Sequence, residues 1–197
     1  MRLTLRTSLL AFALVASCVA TASAASIVVN GDFQTGTFAG WTFNPSSSFP
    51  WEIVSSGPNF YASTGCVGAP CITGTMAQQS YLYQDLSTVA GTTYALSFDY
   101  NPAGGTPTDL EVLFGSTVVA NLVNAPDTTL TYTYSVLATG STTRLEFLGR
   151  QDPSFNFLDN VSATGAAGIT PEPSTFVLVG SSMLGLAGAV RRRFARS

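Results

Sequence analysis

The chain has 197 residues, with 8 Lys+Arg against 11 Asp+Glu, no histidine and a formal net charge of −3 at pH 7; this length allows one domain of roughly 100–150 residues plus appendages. Between residues 25 and 164 the only cations are Arg144 and Arg150, facing ten carboxylates, and so acidic a surface repels phosphate backbones, which excludes nucleic-acid binding. Without histidine there is no Ser-His or Cys-His catalytic pair.

Residues 1–24 place Arg2 and Arg6 before the apolar run Leu9 to Ala16 and end on Ala22-Ser23-Ala24. A charged start, an apolar middle and a small-residue end predict a signal peptide cleaved after Ala24. Val15-Ala16-Ser17-Cys18 offers a competing lipoprotein box, in which Cys18 becomes an acylated terminus.

From 25 to 164 the chain predicts strands separated by Gly, Pro, Asn and Ser clusters, with no helical-period segment of useful length. In order they are SIVVN, GWTF, WEIVSS, TMAQQSYLYQDL, TYALSFDY, DLEVLFG, TVVANL, LTYTYSVLA, TRLEFLG and FLDNVSAT. In TTYALSFDY, Tyr94, Leu96, Phe98 and Tyr100 share one face while Thr93, Ala95, Ser97 and Asp99 share the other, as a half-buried strand requires. Gly115-Ser116 and Gly140 suggest hairpins. Cys66 and Cys71, with four residues between them in a chain expected to be exported, most simply form a disulfide; a metal site lacks two further ligands and a redox pair lacks the two-residue spacing. Two sheets must cover each other's apolar faces, so the expected fold is all-β, an antiparallel β-sandwich of the jelly-roll kind.

VNGDFQTGTFAGW, YLYQDLSTVAGTTYALSFDY and FLDNVSAT, in that order, resemble the opening, middle and closing strands of galactose-binding-like jelly rolls of carbohydrate-binding modules. The resemblance implies a structural calcium where the first and last strands meet, held by Asp159 with Asp32 or Gln34. Gln34 stands where the family usually has a glutamate, and an amide there removes a charge and weakens such a site. A sugar site needs solvent-facing aromatic rings beside hydrogen-bonding groups, for which the candidates are Trp51, Tyr61, Tyr81, Tyr83, Tyr132 and Tyr134; stripes such as Tyr132/Tyr134 also pack within sheets. Trp41 reads as core. Asp109 and Glu111 share a strand face as a glycosidase pair would, but any acidic sheet supplies such a pair by chance, and no catalytic residue is assigned. Asn160-Val161-Ser162 fits a glycosylation acceptor, weakly, inside the last strand.

A small-residue linker leads to Pro171-Glu172-Pro173, whose prolines hold the chain extended and accessible within residues 165–174. Residues 175–190 are uncharged and helix-compatible, spanning about 24 Å of the roughly 30 Å hydrocarbon core. Arg191, Arg192, Arg193 and Arg196 form a basic stop in the tail 191–197, which the positive-inside rule places in the cytoplasm. This ordered set resembles the PEP-CTERM sorting signal of Gram-negative bacteria. It implies an exosortase partner that cuts near the motif, a pause in the inner membrane and delivery to the cell surface or extracellular polysaccharide of a biofilm. The expected role is structural or adhesive, with glycan recognition as the alternative.

Overall fold

The computed structural model describes residues 24–152 and 154–165. The signal peptide, the Pro171-Glu172-Pro173 motif, the 175–190 span and the arginine tail lie outside the described residues. Ten strands and one helical turn follow in chain order: β1 (Thr42–Phe43), β2 (Glu52–Ser56), β3 (Asn59–Thr64), α1 (Pro70–Thr73), β4 (Tyr81–Ser87), β5 (Thr93–Ala103), β6 (Thr108–Phe114), β7 (Thr117–Val123), β8 (Leu130–Leu137), β9 (Thr142–Gln151) and β10 (Phe155–Gly165). They form two five-stranded sheets, β1-β4-β9-β6-β7 and β2-β3-β10-β5-β8. Every strand pairing is antiparallel.

Alternation along each strand builds the core. In β5 Tyr94, Leu96, Phe98 and Tyr100 are buried, and Leu110, Val112 and Phe114 of β6 face them with Leu145 and Phe147 of β9. Phe98 of the second sheet meets Phe147 of the first edge to face, centroids 5.4 Å apart. Trp41 joins this cluster, donating its indole N–H to Asn30 O at 3.1 Å. Cys66 and Cys71 are bonded with Cα atoms 5.9 Å apart. Their loop is pinned to β9 by Gln151 N donating to Cys66 O at 3.0 Å, and to the start of β4 by Ser80 N donating to Cys71 O at 2.9 Å.

The structure departs from expectation at four places. SIVVN is not a strand: Asn30 and Phe33 adopt positive φ, which breaks extension after only two backbone bonds to β10, Ile27 N to Ala163 O and Val161 N to Gly31 O. Gly31 lies so close to β10 that a Cβ would strike the Val161 carbonyl oxygen. TMAQQS turns instead of extending, since Gln78 N and Gln79 N both donate to Thr75 O, and the one-turn α1 closes the disulfide loop. NFYAST is a strand, β3, paired with β2 across the Gly57-Pro58 turn. Gly140 makes no hairpin, because β8 belongs to the second sheet and β9 to the first, so the connection crosses between layers; Gly115 does turn β6 into β7, at φ +64°.

Candidate functional site

An open cleft of about 450 Å³ lies over β3, β10 and β5, at the middle of the second sheet's outer face. It is lined by Asn59 and Tyr61 of β3, Phe157, Asp159 and Asn160 of β10, and Asp99 and Asn101 of β5. Alternation explains the composition: residues between the buried Phe98, Tyr100 and Leu158 must point outward. A bulge between Asp159 and Ser162 shifts the β10 register, and Asn160 takes φ +51° there. A bulge re-aims one side chain; here the Asn160 amide donates to Asp99 Oδ2 at 2.8 Å. Tyr61 and Phe157, both half-buried, meet edge to face at 5.2 Å.

Two carboxylates dominate the cleft. Asp99 also accepts from the Thr131 hydroxyl at 2.5 Å, and Asp159 accepts from Asn59 Nδ2 at 3.0 Å and from the Asn160 N–H at 2.8 Å. Burial lifts the Asp159 carboxyl above the usual carboxylate range against the pull of those two bonds, and the negative charges of Asp99 and Asp32 lift it further. Asn101 Oδ1 is shut off from water with no hydrogen-bond partner.

Of the aromatic residues offered for sugar, only Tyr61 lies in this cleft. Trp51 is a correction: it is 1% exposed, donates its indole N–H to Ser80 O at 3.0 Å and packs beside Gly149, so it closes the core. Tyr132 and Tyr134 stack on Phe98 (5.6 and 6.1 Å) along β8 and are half-buried, and Tyr134 lines a separate open cleft with Phe114 and Val119, so neither joins the cleft over β3, β10 and β5. Tyr81 and Tyr83 do stand on the outer face of β4, 5.7 Å apart, but the Arg144 guanidinium covers the Tyr83 ring at 3.6 Å while binding both Asp85 oxygens at 2.8 and 3.2 Å. Asp109 and Glu111 lie on the outer face of β6, in the first sheet. Burial raises both carboxyls; the Arg150 charge pulls Asp109 back down and the Asp109 charge raises Glu111 further.

Asp32, Gln34 and Asp159 lie around one polar knot. Gln34 Nε2 donates towards Asp32 O (2.9 Å), Asn59 Oδ1 (2.6 Å) and Phe60 O (3.2 Å), and Asn59 links the knot to Asp159. An amide nitrogen thus sits at the centre of the oxygens, and the Asp159 carboxylate is reached only through Asn59. Calcium needs six to eight oxygens, and among the described residues no three Asp, Glu, His or Cys side chains converge. The donor set fits a hydrogen-bonding amide better than a dication.

The cleft residues Asn59, Asp99, Asn101, Phe157 and Asn160 were not among the sequence candidates. The outward series of β5 that ends in Asp99 was readable from alternation; its facing partners on β3 and β10 were not, because they depend on pairing across tens of residues.

No protein-family model matches the chain, and no curated protein matches it in sequence. Among solved structures, the CBM22-1 xylan-binding domain of Paenibacillus barcinonensis Xyn10C is similar with TM-score 0.54 at 14% identity, over 75% of this chain and 99% of that one. A putative sugar binding protein from Bacteroides thetaiotaomicron VPI-5482 is similar with TM-score 0.50 at 11% identity, over 72% and 100%. The enzymatically active domain of bacteriophage CBA120 tailspike protein 4 has TM-score 0.51 at 14% identity over 72% of this chain, which spans only 21% of that chain's length. Identities this low establish a shared fold, the jelly-roll sandwich of carbohydrate-binding modules.

Proposed function

We propose that the sandwich is a glycan-binding module whose site is the cleft over β3, β10 and β5. The observation that carries this reading is the placing of Tyr61 and Phe157 beside two carboxylates and three asparagines in one open cleft. Pyranose faces pack on aromatic rings while their hydroxyls need donors and acceptors at the rim. An open cleft takes an internal stretch of chain in place of a terminal sugar. The similar structures include a xylan-binding domain and a putative sugar binding protein, which supports the reading through the fold. The test is affinity electrophoresis of the full chain through gels containing soluble polysaccharides: at least one should retard it, and retardation by none would leave a matrix protein without a glycan ligand.

For the chain as a whole we propose export, a pause in the inner membrane, and release by an exosortase to the surface or polysaccharide matrix, where the module would act as an adhesive or structural element. The terminal order Pro171-Glu172-Pro173, apolar span and Arg191, Arg192, Arg193 and Arg196 supports this. Glu172→Ala is expected to leave the full-length form in the membrane, and unchanged processing would remove that residue from the signal.

A further inference from the structure

Resting on the glycan reading of the cleft, we propose that its ligand carries free amino groups: a chain of hexosamine units that are not fully N-acetylated, with an ammonium group seated between Asp99 and Asp159. The two aspartates are direct cross-strand partners on the outer face of β5 and β10. Like charges placed opposite one another in a sheet are destabilising, and this fold offsets them only with neutral hydrogen-bond donors, Thr131, Asn160 and Asn59, and with no counter-charge. No cation lines the cleft. Among the described residues the cations of the domain are Arg144 and Arg150, both on β9 in the other sheet, each held by its own aspartate at 2.8 Å. The protein therefore places both of these cations on one face, beside the carboxylates there, and leaves the Asp99–Asp159 pair on the other, inside its aromatic cleft, with no cation near it. A locally unfavourable arrangement without a counter-charge is expected at a functional site.

Hydrogen bonding points the same way. The carboxylates of Asp99 and Asp159 accept four bonds in all from Thr131, Asn160 and Asn59, and a carboxylate oxygen has room for a second donor. The site is thus rich in acceptors, and an ammonium group brings three donors and no acceptor. A neutral hydroxyl supplies a donor without relieving the charge, and a uronic acid would add a third negative group. A dication would find only two carboxylates here and would have to draw the rest of its shell from amide and backbone oxygens, an outcome the chelator arm reads separately.

Isothermal titration of the full chain in a sugar-free non-ionic detergent tests this with three probes: a glucosamine pentamer, its fully N-acetylated counterpart and a glucose pentamer. At low salt the glucosamine pentamer should bind at least about tenfold more tightly than either, the scale of one close charge pair. Asp99→Asn keeps an acceptor for Asn160 and gains a donor for the Thr131 oxygen, so it preserves the local bonding; it should shrink the ratio to within about twofold, and Asp159→Asn should do the same. Equal affinity for the three pentamers would overturn the inference and leave the cleft reading standing. Binding of none would overturn the inference, and retardation in the polysaccharide gels would then decide the glycan reading by itself. A preference that survives in both variants would mean attraction to the acidic surface at large, and binding abolished by chelator would assign the cleft to a metal ion; either result overturns the proposal.

Discussion

The two outer faces of the sandwich start from the same materials, a pair of aromatic rings among carboxylates, and end differently. On the first sheet Arg144 sits over Tyr83 and ties up Asp85, so the ring is covered and the charge is spent internally. On the second, Tyr61 and Phe157 stand edge to face over an open cleft beside Asp99 and Asp159, with no cation in its lining. Aromatic residues on a sheet surface do not make a binding site by themselves. What separates a platform from a surface patch here is whether the fold has already supplied the ring and the carboxylates with partners.

The comparison can be broken first at its aromatic anchor. Tyr61→Ala should cost at least about 2 kcal/mol of glycan affinity, roughly thirtyfold, as loss of a central aromatic anchor does, while Tyr83→Ala should leave affinity within about twofold; affinity electrophoresis of both variants reads the contrast. Next in size, Arg144→Ala removes a cation–π contact of about 0.5–1 kcal/mol and a largely exposed ion pair worth at most about 1 kcal/mol. Its melting temperature should fall by a few degrees, and any glycan binding it gains should be abolished by adding Tyr83→Ala.

Smaller again is the charge pair. The Asp159 carboxyl is held above its ordinary range by burial and by Asp99 and Asp32, so the folded state binds protons more readily than the unfolded one. This group's contribution to stability therefore falls as pH rises through the folded pKa, and the penalty vanishes below the unfolded value. Asp99→Asn removes part of that penalty and should raise stability at pH 7 by about 0.5 kcal/mol, with the gain fading at pH about 3, where carboxylates are protonated; urea melts at both pH values check it. The smallest expected effect is none: because the Gln34 amide fills the oxygen knot, the melting temperature should be the same in calcium and in chelator. Gln34→Glu should make it calcium-dependent.

Much of the sandwich was readable from local pattern. The period of two in β5 assigns both of its faces, and the short spacing of Cys66 and Cys71 anticipates their bond. Where reading failed, the deciding contact was distant. Trp51 precedes a strand and could have faced water, but Ser80 and Gly149 make a slot for its indole. Tyr132 and Tyr134 alternate as cleanly as any exposed pair; their stacking on Phe98 leaves them half-buried and away from the cleft. The cleft had the weakest signature, since Asn59, Asp99 and Phe157 come from strands whose neighbours in the sheet are far apart in sequence. Asn160 was visible only as a weak glycosylation acceptor, and it takes a β-bulge to bring its amide to Asp99.

The site is tested most directly by retardation of the full chain in a gel containing a polysaccharide that the wild-type protein binds, compared with Tyr61→Ala and Tyr83→Ala side by side. The prediction is that Tyr61→Ala runs as in a gel without polysaccharide and Tyr83→Ala runs as wild type. Retardation kept in Tyr61→Ala and lost in Tyr83→Ala would place the site on the first sheet and contradict the account.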